Sequence, residues 1–427
     1  MTTSPVGTPA PPPAAVPPAR GPARLLHPDP MVRRLARLTL VNCVGNGLSL
    51  AVAVLFFTRV LGLSAAQLGF GLTAAGLCGV AASIPAGRAA DRWGVRRVLV
   101  LLVAVEAAGT AAYALVHGYA AFVALACVVA AADRGSSAVR NALYAEVLPA
   151  DRRVAGRAYL RVVTNVGMCL GTALAAAALQ IDTRTAYLTA ILCDAASFAV
   201  AAALYARVPV PARARAGTGR KAGGRNPALR NRPFLVVTAL NAVLCLQFAV
   251  LEVGVPLWIV KETEAPRIVV AGTIVVNTVL VVALQVRATR GTERPGAAAR
   301  VCGRGGLLLA GSSLVLGLAH GLPAAAAAVV VLAGVALQAL GEVLSQAGGW
   351  ALGFDLAEED AHGAYQGVFS AGSSVAMMLG PALVSTVVIG CGLLGWAALG
   401  AVFGAAGLAV APAVRWARQR GGEPVPA

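Results

Sequence analysis

Gly87-Arg88-Ala89-Ala90-Asp91-Arg92-Trp93-Gly94-Val95-Arg96-Arg97 is the stretch that decides how the rest of the chain is read. It is one of the few dense polar patches in an oily sequence. It lies between two apolar segments too long for ordinary core helices. Its glycines set a tight turn, Asp91 falls at that turn, and Arg88, Arg92, Arg96 and Arg97 surround it. In a bilayer such a knot belongs at the water edge, and its arginines place that edge on the cytoplasmic side.

The chain has 427 residues, of which 58% are hydrophobic and 12% charged. That is about half the charge fraction of a soluble domain. Apolar runs of ~20 residues recur, each long enough to cross the hydrocarbon layer as a helix. These features define an all-α, multi-pass membrane protein. The eight cysteines lie in or beside apolar segments with no Cys-x-x-Cys pair, so they read as small hydrophobes. His27, His117, His320 and His362 are scattered and make no metal set. No phosphate-binding Gly-x-x-x-x-Gly-Lys-Ser/Thr loop occurs, so ATP is not the energy source. No cofactor is expected, and no clustered catalytic set points to a membrane-embedded enzyme.

Residues 1–30 are Pro/Ala-rich and read as a disordered cytoplasmic tail without the apolar core of a signal peptide. Twelve spans come next. In the first half (31–206) they begin near Leu38, Ala65, Val98, Tyr119, Ala158 and Ala186. In the second half (233–414) they begin near Phe234, Ile268, Val301, Leu322, Gln366 and Leu393. Between the halves, 207–232 is rich in Arg, Gly and Pro and holds no acid, which marks a basic cytoplasmic linker; 415–427 is a second tail.

Charge tests this arrangement. With both termini in the cytoplasm, most of the 35 Lys and Arg fall on that side, the arginines from Arg140 to Arg161 being counted with the loop between spans 4 and 5. Arg59, Arg184, Lys261 and Arg267 fall on the other side, and Arg134 lies within a span. This bias fixes the orientation. It also assigns the net charge of +17 to contacts with anionic inner-leaflet lipid, and no nucleic acid is expected. The halves look duplicated: Glu293-Arg294-Pro295-Gly296 repeats the acid, arginine and glycine of Asp91-Arg92-Trp93-Gly94 at the equivalent place.

Polar side chains inside spans are costly and face a cavity or a partner helix. Span 1 holds Asn42 and Asn46, four apart and on one face. Span 4 holds Asp133 and Arg134. Span 7 holds Asn241 and Glu252, three helical turns apart. Span 10 holds the stripe Gln338, Glu342 and Gln346. Glu106 and Asp194 fall outside this set, in spans 3 and 6. Each of these groups has a plainer reading, a satisfied structural hydrogen bond. A desolvated carboxyl can instead hold and release a proton near neutral pH. Glu342, with amide neighbours, suits that task better than Asp133, which sits beside Arg134.

The pattern Gly-x-x-x-Asp-Arg-x-Gly-x-Arg-Arg, as it stands at Gly87, Asp91, Arg92, Gly94, Arg96 and Arg97, resembles the signature of the major facilitator superfamily between helices 2 and 3. That resemblance implies 12 transmembrane helices in two pseudo-symmetric six-helix bundles. It also implies a central cavity lined by helices 1, 4, 7 and 10, the same set that span counting picks out. Arg134 stands near an arginine of the drug-exporting members. Gly167 and Gly171 keep part of an exporter motif in helix 5, and their spacing permits close helix contact. Leu340-Gly341-Glu342 with Trp350, Gly363 and Tyr365 resembles the bacterial multidrug-exporter branch.

The expectation is a monomeric secondary transporter of the plasma membrane. It would export small amphipathic or drug-like molecules by alternating access, in exchange for protons. The alternatives are a facilitator or importer of a small nutrient and, further off, a membrane-embedded enzyme. One cytoplasmic loop breaks the charge rule: Asp355, Glu358, Glu359 and Asp360 come with no cation. Glu358 is expected to latch this loop to Arg88, Arg92, Arg96 or Arg97, and Asp91 to receive the positive end of helix 11. The plain alternative is a solvated loop, since exposed ion pairs are worth under ~1 kcal/mol.

Overall fold

A computed structural model describes residues 28–149, 152–181, 183–210, 226–290, 292 and 295–420. Most of the N-terminal tail, residues 211–225 of the linker, the Glu293-Arg294 pair and the last seven residues lie outside the described residues. The described residues are almost wholly helical. The first half contains α1 (Pro30–Leu55), α2 (Ala65–Trp93), α3 (Val95–Ala112), α4 (Tyr119–Val147), α5 (Arg153–Ile181) and α6 (Arg184–Ala206). The second contains α7 (Arg232–Glu262), α8 (Ile268–Ala288), α9 (Pro295–Gly317) and α10 (Ala324–Asp355), then α11 (His362–Val388) and α12 (Gly390–Gln419). Ten of these stretches are long and apolar enough to cross a membrane; α1 and α9 pack among them.

Local sequence explains where the helices start. Asp29 caps α1, its carboxylate accepting from Met31 and Val32, with Pro30 in the first turn. Ser64 and Gln67 form a reciprocal capping box at α2. Asn231 caps α7 by accepting from the Phe234 N–H. Gly94 ends α2 and starts α3 at φ 92°, a left-handed conformation that only glycine adopts without strain. The α11–α12 turn uses Gly392 at φ 56° in the same way.

Several helices run further toward the basic end than the sequence spans allowed. α4 continues to Val147, α5 begins at Arg153 and α10 continues to Asp355. Arg157, left in a loop by the span limits, is therefore helical, and like Arg140 and Arg161, which lay at span ends but were counted with the loop cations, it is half-buried. The error has a physical source. Hydropathy marks where lipid begins, whereas a helix continues past that point if its next turns pack on protein. The acidic loop shrinks in consequence to residues 356–361, which include a short 3-10 turn, Glu359–Ala361.

Within the first half α2 packs on α4, α1 on α5 and α6, and α3 on α4 and α6. Small residues allow the closest approaches. A Cβ on Gly167 or Gly171 of α5 would land on the backbone or Cys43 side chain of α1, so the paired glycines bring these helices into backbone contact. Within the second half α9 packs on α10 and α12, α8 on α10, and α7 on α11. Trp258 and Trp396 meet edge to face at 5.7 Å in its core, and the Trp258 indole donates to the Leu316 carbonyl at 2.9 Å. The halves meet where α11 crosses α2, and where α5 meets α8 and α10.

Candidate functional site

The quoted stretch forms the first contact between the halves. Asp91 sits in the last turn of α2. Its Oδ1 accepts from the Gly363 N–H at 2.8 Å and its Oδ2 from the Ala364 N–H at 2.7 Å. These are first-turn donors of α11, which have no partner within their own helix. A carboxylate there also meets the positive end of the helix dipole. The approach depends on glycine: a Cβ on Gly87 would land on the Gly363 carbonyl oxygen, and one on Gly363 would land on the Gly87 carbonyl oxygen.

The acidic loop is anchored through Glu358. Glu358 accepts from the Tyr365 hydroxyl at 2.9 Å, and that hydroxyl accepts from Asn231 at 3.0 Å. Tyr365 is fully buried against Phe234. Arg96 donates to the Val208 carbonyl at 3.3 Å, and Arg92 lies over the neighbouring Trp93. Arg92, Arg96 and Arg97 make no ion pair with Glu358 in this conformation.

Two further contacts close the same end. The Arg157 guanidinium of α5 lies over Trp350 at 4.8 Å and over Phe354 at 5.6 Å, both on α10. One turn deeper, Arg161 lies over Phe248 of α7 at 5.5 Å. The planar cations thus stack across the boundary between the halves. Trp350 and Phe354 also join the apolar core of the first half.

Further into the molecule the α10 stripe is built into a network. Glu342 is 3% exposed. Its Oε2 accepts from Asn277 of α8 at 3.0 Å and its Oε1 from Gln346 at 2.9 Å. Gln338 donates to the Gln247 carbonyl at 2.8 Å. That carbonyl lies just before a π-helical turn, Val250–Gly254, which carries Glu252 with its side chain exposed. Single π turns are frequent at functional sites, though a second one, Phe56–Val60, ends α1. Glu342 and Glu252 both lie within electrostatic reach of Arg161, yet neither pairs with it directly. Asn241 is buried and donates weakly to Cys245.

The first half contributes less direct bonding. Asp133 and Arg134 pair only with each other, at 3.5 Å, with side chains 48% and 43% exposed. Asn42 is buried and Asn46 half-buried on α1, and neither makes a hydrogen bond among the described residues. The structure therefore gathers Gln338, Glu342 and Gln346 with Asn277, Gln247 and Arg161. Asp133, Arg134, Asn42 and Asn46 make no hydrogen bond or ion pair to that group. Asn277, Arg157 and Arg161 were missed in the sequence. For Asn277 a signal existed: it is an amide in the middle of the very apolar α8. For Arg157 and Arg161 the loop count hid them.

Residues 35–381 match the family described as Major Facilitator Superfamily. No curated protein matches the chain in sequence. Among solved structures, a bacterial homologue of the iron transporter ferroportin, in an outward-facing state, is similar with 15% identity and a TM-score of 0.70, over 91% of this chain and 100% of that one. The E. coli fucose:proton symporter FucP is similar with 16% identity and a TM-score of 0.69, over 90% and 98%. The human organic anion transporter MFSD10 is similar with 16% identity and a TM-score of 0.66, over 90% and 100%. At such identities the likeness is one of fold.

Proposed function

The chain belongs to the major facilitator superfamily, a multi-pass membrane transporter and not an enzyme, and on that premise we propose that it exports small amphipathic or drug-like molecules in exchange for protons. In this reading it sits in the plasma membrane as a monomer with both termini in the cytoplasm. The basic loops then face anionic lipid. Its twelve helices form two units, 31–206 and 233–414, joined by the linker 207–232, and they rock about a site between them. Asp91 with Gly363, and Arg157 with Trp350, form the cytoplasmic gate, which is shut in this conformation. Gly87, Gly94, Arg92, Arg96, Arg97 and Glu358 shape that gate.

The observation that carries the reading is Glu342. A carboxyl held deep between helices by two amide donors, with Glu252 and Arg161 in electrostatic reach, is equipped to exchange a proton against a substrate cation or dipole. Two solved structures similar in fold carry the words proton symporter in their names, which agrees with proton coupling but not with one direction.

A second reading is uptake of a small anionic nutrient. Arg161 supports it, as a half-buried guanidinium whose Nε is buried without a hydrogen-bond partner. Transport in right-side-out and everted vesicles, with a compound panel and an imposed pH gradient, separates the two. Gradient-driven accumulation in everted vesicles, abolished by Glu342→Gln, supports export. Accumulation only in right-side-out vesicles overturns it.

A further inference from the structure

Glu106, in the middle of α3, is 1% exposed, and both its carboxyl oxygens are buried without a hydrogen-bond partner. The charged groups that face it come from two helices. α4 supplies Asp133 and Arg140, and α6 supplies Asp194. Arg140 donates through Nη2 to the Ser136 hydroxyl at 3.3 Å, and that hydroxyl donates to the Asp133 carbonyl at 3.0 Å. The Nε of Arg140 is itself buried without a partner. No ion pair joins Glu106 to Arg140. Asp194 is 4% exposed and tied to Ser197, and its Oδ1 faces Gly45 of α1. The network thus touches α1, α3, α4 and α6, yet none of it belongs to the Glu342 constellation.

An ionised carboxylate buried with no donor and no contacting cation costs several kcal/mol. Two further acids nearby add to that cost. The group settles the conflict by holding a proton. A bound cation is the other way to neutralise three acids, but among the described residues no three of them stand close enough to hold a metal. We propose that Glu106 is a proton-binding site inside the first half, separate from Glu342.

The release balances simply: the Glu106 carboxylic acid becomes a carboxylate and its proton passes to water. The new Glu106 carboxylate needs a cation, and the unpartnered Arg140 Nε on the facing helix is the one at hand. Pairing them turns Arg140 away from Ser136 and shifts α3 against α4. Loss of one proton thereby repacks the half that carries Asp91. The site stands on its own geometry, and only its use in coupling rests on the transport reading.

Infrared difference spectra of the full chain in lipid nanodiscs, recorded across a pH series without substrate, test this. The parent is expected to show the stretch of a buried protonated carboxyl at neutral pH. Glu106→Gln removes that band, Glu342→Gln leaves it, and Asp194→Asn shifts its titration. An unchanged band in Glu106→Gln, or no protonated carboxyl at neutral pH, overturns the proposal. Should Glu106→Gln fail to fold, the Asp194→Asn and Arg140→Gln spectra decide: a band whose titration neither variant moves also overturns it. If the band behaves as stated and vesicles show no pH-driven transport, the site stands and the proton-coupled reading fails.

Discussion

Asp91 and Gly363 lie far apart in the chain, yet the carboxylate of one accepts the backbone N–H of the other at 2.8 Å, which joins α2 to the start of α11. The Ala364 N–H, at 2.7 Å, makes the join bidentate. One side chain satisfies two orphan helix donors and ties one half of the molecule to the other.

Asp91→Ala removes both bonds and leaves the donors of α11 unpaired. Hydrogen bonds to a charged group are worth about 2 kcal/mol each, so losing both lowers the closed-gate population by up to roughly a thousandfold. Spin labels at Trp93→Cys and Ala357→Cys, in a background without the native cysteines, measure the opening. A distance distribution equal to the parent's refutes it.

Gly363→Ala has no room, because its Cβ meets the Gly87 carbonyl oxygen and lies 2.7 Å from Asp91 Oδ1. Backbone cannot yield as a flexible side chain can. The same label pair is expected to report a gate that no longer closes, with transport lost. Gly62→Ala, where nothing stands within 4 Å, is a poor control because its φ is +70°. Gly69→Ala, with open space and ordinary backbone, is the proper one, and it keeps transport.

Arg157→Lys keeps the charge and loses the planar stack on Trp350 and Phe354. A desolvated cation–π contact is worth about 2 kcal/mol. Gate closure is expected to weaken by roughly tenfold, with Lys intermediate between Arg and Ala. If Lys matches Arg in the label distances, the charge alone does the holding.

Glu342→Gln turns one amide against another, since Asn277 and Gln346 both donate to this carboxylate. One donor pair is left unsatisfied, at about 1–3 kcal/mol, and transport driven by a pH gradient is lost. Asn277→Asp is expected to impair the parent carrier through like-charge repulsion, and in the Glu342→Gln background to return a carboxyl to the site and restore part of the pH-driven transport. A vesicle assay showing additive losses in the pair contradicts a shared site.

Trp258→Phe checks stability apart from transport. It removes the indole donor to the Leu316 carbonyl and keeps most of the apolar contact with Trp396. A loss of about 1 kcal/mol is expected. The melting temperature in detergent falls while transport per folded molecule is kept.

Hydropathy and charge were legible in the sequence because lipid imposes them locally: each span must be apolar and each basic loop must stay on one side. The polar stripe of α10 was legible for the same reason, since an acid or amide in such a span needs a partner. Asp91 at the start of α11 was readable too, from the turn it occupies and the sign of the helix end. The partners themselves were not readable. Nothing local places Asn277 against Glu342, Arg157 over Trp350 or Asn231 against Tyr365, because these pairs meet only when separate helices pack. Helix ends failed likewise: Arg157 looked like a loop residue, and Arg140 and Arg161 were counted with the loop, until packing carried α4 and α5 past the apolar boundary. Sequence decided which groups must be buried, through the cost of burying them. Only the tertiary structure decided what each buried group meets, because that is a matter of distance between helices far apart in the chain.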